Sequence, residues 1–242
     1  MRLRHIGAAG AALLSLLAIS CPKRQAGEPL IPRHAVWSDG EVSTYDVLKD
    51  DSVVGKSVYT IRLAETLGKR VWEIIGVNSS EDAGLHDSVA ATLSFDELKS
   101  LNSFQVRNAI ARLDTVVSSY SGNKVKVTAR AGQTQSLSIS ANTFDNSILV
   151  MVIRSLDLKP DAHYLLTSVA GFGPWTKPAD VQVLGEETVR VPAGEFACRK
   201  VALQIAGWTM NLWYERAAPH RYIKFENENN NSAAVLTKYT SK

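Results

Sequence analysis

Cysteine is nearly absent: the 242 residues contain two, Cys21 and Cys198. Two cysteines cannot build a disulfide framework or a four-cysteine zinc site. Histidine is scarce as well. The four beyond the first twenty residues, His34, His86, His163 and His220, fall in no HxH or HExxH spacing, so neither a metal nor another cofactor is expected. There is no phosphate loop and no GxSxG elbow, and the glycines of "AGFGPW" (170–175) lack the strand-to-helix context of a dinucleotide site. The acidic pairs Asp50–Asp51 and Glu81–Asp82 lie in polar connections, where solvated turns explain them better than a glycosidase pair facing across a cleft. Excess charge is missing too: the formal net charge of +3 falls to +1 once Arg2 and Arg4 are set aside. A nucleic-acid binder would show a concentrated basic face, so no nucleic-acid partner is expected.

What the chain does have begins at its N-terminus. "MRLRHIGAAGAALLSLLAIS" places two arginines before an apolar run from Ile6 to Ile19, too short to span a bilayer comfortably and laid out like a secretory signal. "LAISC" resembles the lipobox of bacterial lipoproteins, in which the cysteine after a small residue is lipidated and becomes residue one. Ser20 supplies the small residue, and Ala18 departs from the usual leucine. The resemblance implies lipidation at Cys21 and a membrane contact through that lipid, since two or more acyl chains anchor stably where one does not. Residues 1–20 are therefore read as signal, 21–35 ("CPKRQAGEPLIPRHA") as a proline-containing tether, and 36–242 as one domain.

That domain reads as mainly β, a strongly curved antiparallel sheet with one or two short covering helices. β-Branched and aromatic runs recur between turn signals. "SVYTIRLAE" alternates with Tyr59, Ile61 and Leu63 on one face. "DTVVSSY" and "KVKVTAR" flank a hairpin connection at Ser121–Asn123. "FDNSILVMVIRSL" spaces Ile148, Leu149, Val152, Ile153 and Leu156 as a short helix with Asp145 or Asn146 as N-cap. "SFDELKSLNS" fits either a capped helix, from Ser94 and Glu97, or a strand edge passing through a turn.

The order "FDNSILVMVIRSLDLKPDAHYLL", "VLGEETVRVPAGEFACRKVAL", "LWYERAAPHRYIKFE" resembles the bacterial envelope family labelled domain of unknown function 3108, over about Glu41–Tyr239 and most specifically over 144–226. The resemblance implies a periplasmic or surface-attached protein. It also implies a half-barrel like that of the lipoprotein carriers, partly closed by a helix and able to hold an acyl chain or another apolar ligand. His220 stands where a proline is often found in that family, beside Pro219.

Three functions are open on these grounds. The first is a non-enzymatic, lipid-anchored envelope protein binding an apolar or envelope-derived ligand. Phe172 and Trp175, in a glycine- and proline-rich stretch, are the expected rim contacts, and Trp208 and Trp213 are weaker candidates. Trp208 shares a strand face with Met210, Leu212 and Tyr214, and that face reads first as core. The second is an assembly module docking another envelope protein. The third is a hydrolase using Cys198, which shares its strand face with Phe196, Lys200 and Ala202. A reactive thiol also needs a base and an orienting group. A small strand residue explains Cys198 more simply, so no catalytic residue is assigned.

Overall fold

A computed structural model describes residues 31, 33–80, 85–109, 112–129 and 132–241. The signal, Cys21 and most of the tether lie outside the described residues. Among the described residues, fifteen strands form one sheet: β1 (Glu41–Lys49), β2 (Ser52–Thr66), β3 (Lys69–Ser80), β4 (Leu85–Ser94), β5 (Ser100–Ala109), β6 (Arg112–Ser121), β7 (Lys124–Ala129), β8 (Thr134–Ser138), β9 (Thr143–Asp145), β10 (His163–Ala170), β11 (Trp175–Val191), β12 (Gly194–Ile205), β13 (Trp208–Glu215), β14 (Tyr222–Asn227) and β15 (Ser232–Thr240). Between β9 and β10 a 3-10 turn (Asn146–Ile148) runs into a single short helix, α1 (Leu149–Ile153).

The spatial order is β8-β7-β6-β5-β4-β3-β2-β1-β15-β14-β13-β12-β11-β10-β9. Nearly every strand pairs antiparallel with its chain neighbour. The exceptions are β1 with β15, which joins the two halves of the sheet, and β9 with β10, which are parallel. Two-residue connections join β6 to β7 at Gly122–Asn123, within the hairpin stretch expected at Ser121–Asn123, and β11 to β12 at Pro192–Ala193. Sheet twist and hairpin geometry alone would curl such a meander, and here its two ends overlap. β9 and β10 lie inside the roll, against the concave side of β5 to β7. Leu166 of β10 joins the main core, while Val169 packs with Val116, Val125 and Val127. Both faces of β10 are therefore buried from Leu166 to Val169.

α1 occupies the interior of the roll. Leu149, Met151, Val152 and Ile153 are all buried, so the helix is a plug rather than an outer cover. Asp145, one of the two expected caps, closes the 3-10 turn that leads into α1, its carboxylate accepting from Ser147 N, while at the start of α1 itself Ile148 supplies no side-chain cap. The Ser94–Lys99 segment is a turn, with Ser94 Oγ accepting from Lys99 N.

One end of the roll is sealed. Trp37 meets Trp72 edge-on, Trp72 stacks on Phe95, and Leu98 is fully buried. Ile31 and Arg33, read from composition as tether, are instead docked there. Ile31 N donates to Asn142 Oδ1, and Arg33 lies over the Phe144 ring and donates to Glu97 O. Burial lowers the Arg33 pKa to about 10 despite the nearby Glu97.

Candidate functional site

The opposite end of the roll is open, and its concave wall carries a groove. One cleft of ≈ 260 Å³ is lined by Tyr45, Val47, Tyr59, Val150, Tyr222, Phe225 and Ala234, among others. The Tyr45 hydroxyl donates to Tyr222 O, so it is satisfied within the wall. Burial raises the pKa of Tyr45, Tyr59 and Tyr222, and these side chains act as neutral, largely apolar walls. A second cleft of ≈ 330 Å³ is lined by Asp87, Val89, Gln105, Arg107, Gly171, Phe172 and Trp175, among others. The two clefts share Asn78, Asn146 and Ser147 and form one groove, apolar at one end and polar at the other. From β14 to β5 the wall crosses six strand spacings, about 29 Å of arc at the usual interstrand distance of about 4.8 Å. Each cleft lies near the small end of ligand-site volumes, and the two together fall well inside that range.

The polar end is built by strands whose inward residues are hydrophilic. Asp87 of β4 and Arg107 of β5 are in register and approach to 3.8 Å. Arg107 lies over the Phe172 ring at 4.3 Å from its centroid, fixing that ring at the mouth. Burial raises the Asp87 pKa, opposed by Arg107 and by a hydrogen bond from the Asn108 backbone. Gly171 lets the β10–β11 turn come this close to the wall, because a Cβ there would meet Val116 Cγ1 at 2.9 Å.

Beneath the groove two buried polar clusters hold the plug in place. Asp145, fully buried, accepts from Ser103 Oγ (2.5 Å), Gln105 Nε2 (3.1 Å), Tyr120 OH (3.0 Å) and both the backbone N and Oγ of Ser147. It ties β9 to β5 and β6 where no strand pairing does. At the other end of α1, Arg154 donates to Glu41 Oε1 at 2.6 Å and Oε2 at 3.3 Å, to Pro219 O and to His220 O. Tyr239 OH also donates to Glu41 Oε2. A buried pair needs such added hydrogen bonds to offset its desolvation.

The four aromatic candidates separate. Phe172 and Trp175 both line the groove. Phe172 lies in the turn, while Trp175 opens β11 and is half-buried against the main core. Trp208 and Trp213 do not line it. Trp208 is 45 % exposed, a correction to its reading as core: it starts β13 beside the Ala206–Gly207 turn, beyond the packed part of that face. Leu212 and Tyr214, farther along the face, are buried as expected, and Met210 is half-buried. Strand alternation turns Trp213 away from Leu212 and Tyr214. It is buried between Lys200 and Lys224, with its indole N–H donating to Glu187.

Cys198 sits in the same neighbourhood. Its thiol donates to Phe196 O, and burial, with Glu215 and Glu187 adding to it, pushes its pKa up to about 12. That is the reverse of the depressed pKa a nucleophile uses. Among the described residues no group of three or more His, Cys, Asp or Glu side chains is arranged to hold a metal ion, and no helix is long and apolar enough to cross a membrane. Of the polar residues that shape the groove and plug, Asp87, Gln105, Arg107 and Glu41 carry no motif, while Arg154 falls in the first of the segments that carry the family resemblance. Only Asp145 and Asn146 stood out in the sequence, as caps.

A rolled, plugged β-sheet with a lateral groove is thus the class that this architecture defines. The chain belongs to the DUF3108 family, described as a protein of unknown function, whose model matches residues 44–236. No curated protein matches it. Among solved structures, it is similar to a beta-barrel-like protein of the domain of unknown function DUF1849 from Brucella abortus. That match has a TM-score of 0.58 at 11% identity and covers 83% of this chain and 97% of that one. A Bacteroides fragilis protein with a YmcC-like fold aligns with a TM-score of 0.37 at 14% identity, covering 88% of this chain and 99% of that one. The likeness to the Brucella protein is one of fold.

Proposed function

We propose that the chain is a lipid-anchored, non-enzymatic protein of the bacterial envelope that binds an amphiphile along its inner wall. The groove carries this reading, because it joins an aromatic, uncharged end to a polar end on one continuous surface. The lipobox-like "LAISC" supports anchoring at Cys21 and a position outside the cytoplasm. The plug restricts where a ligand sits: α1 fills the centre of the roll, so binding is confined to the open end. Organic extraction and mass spectrometry of the protein purified from membranes should recover lipid. Ala234→Trp, which fills the apolar cleft from a half-buried position on its wall, should remove that lipid with folding retained. If no lipid is recovered and dodecylphosphocholine does not bind, the reading fails.

A second reading, docking of another envelope protein, draws on the outer face of β3 to β6. There Val77, Phe104, Leu113 and Val117 are each more than 40 % exposed, an arrangement that suits an uncharged protein surface. Crosslinking that recovers one stoichiometric partner from lipid-free protein would favour it over the groove.

A further inference from the structure

The β2–β3 hairpin outruns the sheet that carries it. β1 pairs with β2 only as far as Ile61, and β4 pairs with β3 only from Val71. Beyond these points Glu65 and Thr66 pair with Arg70 and Lys69, and a two-stranded tip extends past both neighbouring strands. At its end is Leu67, 97 % exposed, the most exposed large hydrophobic side chain among the described residues. Its φ is +53°, the left-handed region that its two-residue turn with Gly68 (φ 72°) uses and that asparagine occupies at less cost. A leucine there is disfavoured twice, by its backbone conformation and by its contact with water. An apolar environment around the tip removes the second penalty and offsets the first.

Two observations identify that environment. The tip lies at the sealed end of the roll, where the chain leaves toward Cys21. Ile31 docks there on Asn142, and Asp39 Oδ1 accepts from Leu63 N at the base of the tip. Ile31 is ten residues from Cys21, a reach of at most about 35 Å, so an acyl anchor on Cys21 keeps this end close to the bilayer that holds it. The charge beside the leucine suits the same surface. Lys69 and Arg70 are exposed, against the single acid Glu65, and anionic lipid head groups attract such cations. One leucine would not recruit a protein from solution, but a tethered tip meets the bilayer intramolecularly, where a weak contact suffices.

Resting on the anchor at Cys21, we propose that the β2–β3 tip inserts into the bilayer that carries this anchor, with Leu67 below the head groups and Lys69 and Arg70 among them. The domain then stands on its sealed end. Asn78, shared by both clefts of the groove, is nine residues along β3 from Lys69, about 30 Å at the usual strand rise. The groove therefore opens away from that membrane and takes its ligand from the far side.

The test uses the acylated protein purified from membranes and reconstituted in vesicles of phosphatidylethanolamine and phosphatidylglycerol. An environment-sensitive fluorophore is attached to the new thiol in Leu67→Cys or, at the opposite end, in Val53→Cys, where the residue is exposed at the start of β2; Cys198 is buried. The label at position 67 should report lipid and be quenched by spin-labelled lipid, and the label at position 53 should report water. A label in Thr66→Cys reads the effect of adding Leu67→Asn. The ratio of inserted to free tip should fall about tenfold or more, the scale of burying one leucine. Leu67→Asn should at the same time raise the unfolding midpoint, because asparagine suits the turn. Both labels in water, with the protein still floating with the vesicles through an acylated Cys21, would overturn the insertion and leave the anchor reading standing. A label at position 67 that is shielded from water but not quenched by spin-labelled lipid would assign the tip to another copy of the chain and overturn the insertion as well. Cys21 without an acyl group would overturn the anchor reading and this inference with it.

Discussion

The two ends of the sheet meet in the roll but are held in different ways. Around α1, the C-terminal strands β10 to β15 and the first strands β1 to β4 share one apolar core, in which Ile74, Leu93, Ile153, Val201, Leu212, Tyr214 and Leu236 are all fully buried or nearly so. Where β6 to β8 wrap over β9 and β10, the buried apolar set shrinks to Val116, Val125, Val127 and Val169. Much of the attachment there passes through one carboxylate, Asp145, and β8 is an edge strand whose residues are mostly exposed. The first region is a packed interior with an ion pair enclosed in it. The second is a seam, fastened by polar contacts and flanked by clefts. Ligand-admitting parts of a protein come from its less stable elements, and the groove ends at this seam.

The largest effect is expected inside the packed region. Arg154→Met removes the partner of a fully buried Glu41 and releases the carbonyls of Pro219 and His220. Stranding a buried charge typically costs about 3–5 kcal/mol, so chemical denaturation should show a large fall in stability. Adding Glu41→Gln should recover a good part of it. Full stability of the single variant would mean that the pair is not what closes the C-terminal end of α1.

Asp145→Ala should come next and act on the seam. It leaves Ser103, Gln105, Tyr120 and Ser147 without their acceptor. The expected loss is about 2–4 kcal/mol, from several charge-assisted hydrogen bonds partly replaced by water. Amide exchange should rise in β6 to β8 before it rises in β12 and β13. Uniform acceleration across the sheet would show that seam and core open as one unit. A like-for-like pair then measures the difference: Val201→Ala in the core should cost about 2–3 kcal/mol, and Val127→Ala at the seam about 1 kcal/mol, because the seam has room to collapse.

The same contrast explains which parts were legible in the sequence. The hairpins of β11 to β15 follow from alternation and turn residues, because their inward positions, such as Val201, Leu203 and Ile205, are apolar. β5 is inverted: Ser103 and Gln105 point inward to serve Asp145, while Phe104 is 47 % exposed. Apolar-in, polar-out patterning therefore hides this strand. β1 is obscured in the same way by the inward Glu41 and Ser43, whose burial makes sense only once Arg154 and its partners are in place. The helix was readable from its spacing, but not its position inside the roll, since periodicity reports a buried face and not what covers it. The groove drew on Asp87, Arg107, Asn146 and Phe225, which are far apart in the chain and meet only through the register of the sheet.

The smallest expected effect probes the groove from its polar end through pH. In the folded protein Asp87 binds its proton more tightly than an ordinary aspartate, because burial disfavours the carboxylate more than Arg107 and the Asn108 amide favour it. Below the unfolded value, about 3.9, both states hold the proton and Asp87 has no effect on stability. As pH rises through that value, the unfolded chain releases the proton first and the fold is penalised, until the raised folded value is passed and the penalty levels off. Asp87→Asn lacks this step. Its unfolding midpoint, compared with that of the unaltered protein, should be relatively higher at neutral pH than at about pH 4. The gap should be modest, since the side chain is partly solvated and its charge is screened.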